Sequence, residues 1–333
     1  MRDEQKDQVM SEAKKLLAII SDYRVKPTPE HIEDWLSQFD STARLPIVTE
    51  LTHILSKSYL SAKTTEDFLK GLISNPKLVG NDPASFWKGA NFFNAQQGGH
   101  SQAELLDLFG TLLTSETSLK LKECGSQNGP IIYLDDLLLS GNRIVNDFRA
   151  WIPERGPKSS TVHAIFMGTH SGGSYYAHKA IPEMAGKADK KLNLNLWCVL
   201  RLENLSNSGA AADVYRLRTL PEDESTARYI QEHVEGDPTV MRPEKDSNKS
   251  KFFTSEKSRH FLEQTFWSTG LRIREIAHNL KDTHRPLGYT STNSANKLGF
   301  GATVVTYRNC LNNCPLAYWV GDPWYPLFER KIN

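Results

Sequence analysis

Apolar residues recur at three- and four-residue intervals through the first eighty positions. Val9, Met10, Ala13, Leu16, Leu17 and Ile20 share one face of an expected helix over 3–22, with charges between them. Thr28-Pro29-Glu30 reads as a helix start: a capping hydroxyl, a proline in the first turn and an acid near the positive end of the dipole. Ile32, Trp35, Leu36 and Phe39 then fall on one face. Further helices are expected over about 45–56, from Thr64-Thr65-Glu66-Asp67, and from Asp82-Pro83.

Near residue 90 the pattern changes to short apolar runs alternating with helical stretches. Strands are expected over 91–95, 131–134, 161–167 and 192–202. Between the first two lie a helix carrying Leu105, Leu106, Leu108 and Phe109 and a polar linker from Thr114 to Gly129. A helix through Ile144, Phe148 and Trp151 follows the second strand. Such alternation predicts an α/β fold with a mostly parallel sheet, which binds ligands beyond the carboxyl ends of its strands. From Asn204 to Ser250 the chain is polar and reads as an insertion, lid or partly ordered loop. Its basic end, Arg242 to Lys251, reads as a solvated loop. A long helix capped by Thr254 or Ser255 passes through Phe261, Phe266 and Ile273. A strand over 302–307 leads to an aromatic ending with Trp319, Trp324 and Phe328. The expected organisation is a helical region, 1–85, and an α/β domain, 86–333, with the polar insertion at about 204–250.

Composition narrows the functional classes. With 40 basic and 39 acidic residues in 333, the net charge is +1, which argues against indiscriminate binding to nucleic acid or membrane. Leu16 to Ile20, the longest early apolar run, is far too short to span a bilayer, and the polar first residues do not read as a signal peptide. Four scattered cysteines suit a reducing compartment, so a cytoplasmic protein is expected. Cys310 and Cys314 alone make a poor zinc site.

The chemistry concentrates in Ile131-Ile132-Tyr133-Leu134-Asp135-Asp136-Leu137-Leu138-Leu139-Ser140-Gly141-Asn142-Arg143. A buried strand leads to two acids, then to a serine-glycine step opening a helix. Asp135 and Asp136 can accept hydrogen bonds from ribose hydroxyls or hold a magnesium ion. Gly141 lets the backbone close on a phosphate, Ser140 adds a hydroxyl, and the helix start adds amide donors.

At these residues the chain resembles the type I phosphoribosyltransferases, whose signature is an apolar strand, two acids, three residues, then Thr or Ser, Gly, any residue, and Thr or Ser. Arg143 stands where a hydroxyl residue usually contacts the phosphate, and could pair with that phosphate instead. A more particular resemblance adds Trp35-Leu36-x-Gln38-Phe39, Phe253-Thr254-Ser255-Glu256-Lys257, Leu298-Gly299-Phe300-Gly301, Asn312-Asn313-Cys314-Pro315-Leu316 and Trp324-x-Pro326-Leu327-Phe328-x-Arg330. In that order these segments resemble the phosphoribosyltransferase-like effectors of bacterial conflict systems. The resemblance implies a type I phosphoribosyltransferase fold and an antiphage role. In retron-associated members it implies a reverse transcriptase and its DNA–RNA product as partners.

Two more loops become candidates by position. Gln97, Gly98, Gly99 and His100 stand where the pyrophosphate loop of a type I enzyme would lie. His170 and Ser171 follow the third expected strand, where such enzymes touch the acceptor base, and Tyr175 or Tyr176 could stack on it. One feature departs from these transferases: the interval Thr114 to Pro130 is too short for their usual hairpin lid.

Two readings follow. One is an enzyme acting on a glycosidic bond of a phosphoribosyl or nucleotide ligand with Mg2+. The other is a non-catalytic nucleotide sensor or scaffold regulating a partner nuclease or reverse transcriptase complex. A metal nuclease built on Asp135 and Asp136 ranks last, for want of further acids or histidines at defined spacing. The helical leader is expected to be a docking surface, for a partner or a second copy of the chain, with Trp35 and Phe39 as anchors.

Overall fold

The computed structural model describes residues 3–94, 101–205, 211–234, 240–243, 250–291, 294 and 296–330. In chain order they form α1 (Asp3–Ile19), α2 (Pro29–Ser37), α3 (Arg44–Ser58), β1 (Tyr59–Leu60), α4 (Ala62–Ile73), α5 (Pro76–Val79), α6 (Pro83–Gly89), β2 (Asn91–Phe93) and α7 (Ser101–Thr117). Then come β3 (Ile131–Leu138), α8 (Asn142–Arg155), β4 (Ser159–His170), α9 (Ser171–Lys187), β5 (Lys191–Leu202), α10 (Glu224–His233) and α11 (Glu256–Ile276). The last elements are β6 (His284–Arg285), β7 (Gly288–Tyr289), β8 (Val305–Thr306) and α12 (Leu316–Trp319).

The chain divides into two compact units. One contains residues 62–202; the other joins 1–61 to 203–332. The first is built on a four-stranded sheet of order β2-β3-β4-β5, parallel throughout. Period-two alternation sends Ile131 and Tyr133, Val162, Ala164 and Phe166, and Leu192 and Leu194 to one face. There they pack with Ile144, Val145 and Phe148 of α8 and Ala177, Ile181 and Ala185 of α9. Trp87, Phe92 and Phe109 form an aromatic group elsewhere in this unit, with Trp87 donating its indole N–H to the Ile73 carbonyl at 2.8 Å.

In the other unit α1 packs on α3, and the strand pair β1–β8 ties residues 59–60 to 305–306. Thr28 caps α2 by accepting the His31 N–H, and Ser255 caps α11 by accepting the Ser258 N–H, so both start signals act as expected. Trp35 and Phe39 are not docking anchors. Both are buried: the Trp35 indole donates to the Ala317 carbonyl at 2.8 Å, and Phe39 lies edge-on to Trp324 at 5.6 Å. The aromatic ending consumes that apolar face.

The polar stretch after Asn204 also differs from expectation where it is described. Ala212, Val214, Tyr215 and Leu217 are core residues, and α10 buries Thr226 and Tyr229. Arg242 is not on a solvated loop; its guanidinium is buried, 2.7 Å from Glu263 and 2.9 Å from Glu256. Glu263 also holds Arg259 at 2.9 Å and accepts the Arg216 N–H at 2.9 Å. These charges are legible only as a network, because each alone reads as surface. Among the described residues no helix is long and apolar enough to cross a membrane. Cys310 and Cys314 are both buried, as free thiols.

Candidate functional site

Strands β3 and β4 end side by side, with Leu138 opposite Thr169. The segments that follow them therefore start together. Strand β3 runs on to Leu138, so the two acids lie within its second half and not beyond a four-residue strand. Strand β4 runs to His170 and passes straight into α9. The expected glycine-rich turn is the first turn of that helix.

Two glycines permit this junction. Gly141 has φ +79°, in the left-handed region, and a Cβ there would lie 2.7 Å from the Gly173 carbonyl oxygen. A Cβ on Gly173 would lie 2.2 Å from the Leu139 carbonyl oxygen. The loop after β3 and the first turn of α9 thus meet backbone to backbone, a contact that side chains would prevent.

Ser140 is exposed, and its hydroxyl accepts the Asn142 N–H at 3.3 Å, turning the chain into α8. Gly141 occupies the N-cap and supplies no side-chain acceptor, so an anion at this loop would meet the positive end of α8. Asn142 and Arg143 are both exposed.

The acids separate by strand alternation. Asp135 follows the parity of Ile131 and Tyr133, toward the α8 side, and Asp136 takes the opposite face. Asp135 is buried, with Oδ2 3.3 Å from Arg143 Nε and Oδ1 accepting the Asp136 N–H at 2.9 Å. Asp136 is half-buried. The residue departing from the phosphoribosyltransferase pattern is therefore the one that neutralises the first acid.

A second acid on this side is Asp147, one helical turn beyond Arg143. It accepts the Tyr133 hydroxyl at 2.7 Å. Burial raises its carboxyl above the usual range, opposed by the Tyr133 hydrogen bond and by Arg143. Burial, followed by the charges of Asp135 and Asp147, raises the Tyr133 phenol strongly. Sequence reasoning missed Asp147, although its i, i+4 spacing from Arg143 was the available signal.

Asp135, Asp136, Ser140, Gly141, Asn142 and Arg143 thus form one continuous segment, with the His170–Ser171 junction beside its strand. His170 is fully buried at the α9 N-cap and Ser171 half-buried behind it. Tyr175 and Tyr176 are exposed on α9, with Tyr176 beside Gly141: its Cδ1 lies 3.2 Å from the position a Gly141 Cβ would take. Gln97, Gly98, Gly99 and His100 lie outside the described residues.

No curated protein and no solved structure matches the chain. A family model does, over residues 32–330, from the second helix through the parallel sheet and its acidic strand to the aromatic ending. That span takes in both compact units and every segment that carried the resemblance, and on that ground the chain belongs to the PRTase-CE family of phosphoribosyltransferase-type effectors.

Proposed function

We propose that this protein binds a phosphoribosyl or nucleotide ligand at the Asp135–Arg143 segment and acts as an effector of antiphage defence. The observation that carries the reading is the junction around Gly141. A left-handed glycine, a helix start whose N-cap residue carries no side chain, and the half-exposed Arg143 guanidinium lie together in this segment, and these are groups that suit a phosphate. In this reading Arg143, Ser140 and the α8 amides hold the phosphate, and one of the two carboxylates, Asp135 or Asp136, meets the sugar hydroxyls. His170 and Ser171 border the base, and Gln97 to His100 face a pyrophosphate.

Magnesium belongs to this proposal as the companion of a pyrophosphate-bearing ligand. Because Asp135 and Asp136 face opposite sides of β3, they do not fit as joint ligands of one ion. One aspartate would meet an ion held mainly by the ligand's own oxygens. Bound there, the ion would neutralise charge on a departing pyrophosphate.

An enzyme acting on a glycosidic bond is the first form of the proposal. The second is a nucleotide sensor that regulates a nuclease or a reverse transcriptase complex, and the Asp135–Arg143 ion pair favours it, since it occupies the carboxylate that catalysis would need open. The reading places the protein in the cytoplasm.

The test is titration with phosphoribosyl pyrophosphate and with nucleoside monophosphates, with product analysis, on the native chain and on Asp135→Asn/Asp136→Asn. Turnover supports the enzyme, and binding without turnover the sensor. A folded double mutant that keeps full phage protection would show that this segment is not the functional site.

A further inference from the structure

The sheet in the unit of residues 62–202 has two edges, and they are built differently. The β2 edge is only 3 residues long. The β5 edge is 12 residues long, and its register with β4 keeps one offset from Ser159 opposite Lys191 to His170 opposite Leu202. No bulge interrupts it. It contains no proline, and between Lys191 and Arg201 it carries no charge. Natural sheets shorten, bend or charge an open edge, because its outward backbone groups recruit another strand. Strand β5 uses none of these devices from Leu192 to Leu200. Among the described residues, no backbone group of Leu192–Leu202 forms a hydrogen bond away from β4. Asn193, Asn195, Val199 and Arg201 are exposed, Val199 by 41%, and Leu196, Trp197, Cys198 and Leu200 are half-buried.

The order of side chains decides what fits this edge. Every even position is apolar: Leu192, Leu194, Leu196, Cys198, Leu200 and Leu202. They lie on the face that packs on α9, where Leu192 and Leu194 already join the core. This series is symmetric about Trp197. In an antiparallel pair with a second β5 centred there, Leu192 meets Leu202, Leu194 meets Leu200, and Leu196 meets Cys198. On the other face Asn193 meets Arg201, Asn195 meets Val199, and Trp197 meets its own copy. No like charges oppose each other. A register centred on Leu196 would instead set Lys191 against Arg201.

We propose that two copies of this chain associate through β5, antiparallel about a two-fold axis at Trp197, so that their sheets join into one. The occupant of the edge is a second copy because the strand is complementary to itself, which is the condition a two-fold interface imposes. Each chain pairs the outward N–H and C=O groups of the other and covers its half-buried apolar side chains. Because the paired strands run in opposite directions, the two Asp135–Arg143 segments lie toward opposite ends of the joined sheet. The association does not depend on what those segments bind.

The test is the mass of the full chain by sedimentation over a dilution series, with thermal unfolding of dilute protein as the check on folding. The native chain is expected to form a dimer that dissociates on dilution. In this pairing Asn195 and Val199 oppose each other twice, once on each side of the axis. Asn195→Lys with Val199→Lys sets lysine against lysine at both places and should weaken the dimer at least about tenfold. Asn195→Lys with Val199→Glu sets opposite charges together and should keep the dimer near native strength. Both positions are exposed, so both variants should unfold as the native chain does when dilute. Should a charge variant fold poorly, Asn195→Cys with Val199→Cys, in a Cys124→Ser/Cys198→Ser background, reads the same register. A short thiol crosslinker should join two such chains, and should not join chains with either new cysteine alone. A native chain that is monomeric throughout, a lysine pair that leaves the dimer intact, a Lys–Glu pair as weak as the lysine pair, or no crosslink would overturn the proposal.

Discussion

Arg143 reaches back from the first turn of α8 to lie 3.3 Å from the Asp135 carboxylate on β3. Asp135 is buried at this contact and Arg143 half-exposed, so the arginine is the partner free to move. A phosphate at the helix start would compete with Asp135 for the same guanidinium.

Substitutions at position 143 should therefore rank by what they offer a phosphate. Arg143→Ala should weaken binding of a phosphoribosyl ligand about ten- to a hundredfold, as loss of one charge-assisted contact does. Arg143→Thr should lose less, because its hydroxyl replaces part of the contact. Calorimetric titration of both variants checks the order, and a Thr variant weaker than Ala would count against it.

The glycine contact at this junction predicts opposite outcomes for similar substitutions. Gly173→Ala places a methyl 2.2 Å from the Leu139 carbonyl oxygen, and neither backbone can yield cheaply. It should destabilise by about 2–4 kcal/mol, and Gly141→Val by at least as much, with loss of ligand binding. Gly71→Ala, in α4 with nothing within 4 Å of its new methyl, should instead stabilise by about 0.5–1 kcal/mol. Denaturant unfolding of the three variants provides the comparison.

The buried charges around Glu263 should be intolerant of single changes. Glu263 receives Arg242, Arg259 and the Arg216 amide. Glu263→Gln leaves two buried guanidiniums short of a charged acceptor and should cost about 3–5 kcal/mol. Replacing Lys63 or Asp67, an exposed pair 2.9 Å apart, should leave stability nearly unchanged, because solvent screens the pair. Equal effects in urea melts would show that the Glu263 network is not buried as described.

His163 gives the stability an acid limit. The Trp197 indole can only donate, and it reaches His163 Nδ1 at 3.1 Å, so that nitrogen carries no proton. Burial lowers the His163 pKa from 6.5 to about 4. The unfolded chain therefore takes up a proton first. This contribution is whole above about pH 6.5 and is lost progressively down to about pH 4, by about 2–3 kcal/mol. His163→Phe should flatten the stability profile in that window alone; an unchanged slope would contradict the assignment.

The elements that could be read from the chain were those with local causes. Thr28 and Ser255 cap their helices because the cap is a contact across three residues. The parallel strands were legible because both faces of β3 and β4 are covered, leaving continuous apolar runs. What escaped depended on distant partners. Asp135 and Asp136 read as a strand end, yet pairing of Leu137 with Gly168 carries β3 past them and turns the acids apart. Arg242 read as surface until Glu256 and Glu263, on α11, gave it a counter-charge. Trp35 and Phe39 read as exposed anchors because their partners, Ala317 and Trp324, lie some 280 residues away.

The joining of residues 1–61 to 203–332 sets an order of events during synthesis. The leader emerges from the ribosome with Trp35 and Phe39 uncovered, and the residues that cover them come after the whole sheet unit has been made. At ordinary elongation rates the 62–202 segment alone occupies on the order of ten seconds. The sheet unit, contiguous in sequence, can close during that interval, whereas the leader waits with an apolar face that invites chaperones or aggregation. Truncation after Leu202 should then leave a trapped leader attached to a folded sheet, and coexpression of residues 203–333 should rescue its solubility.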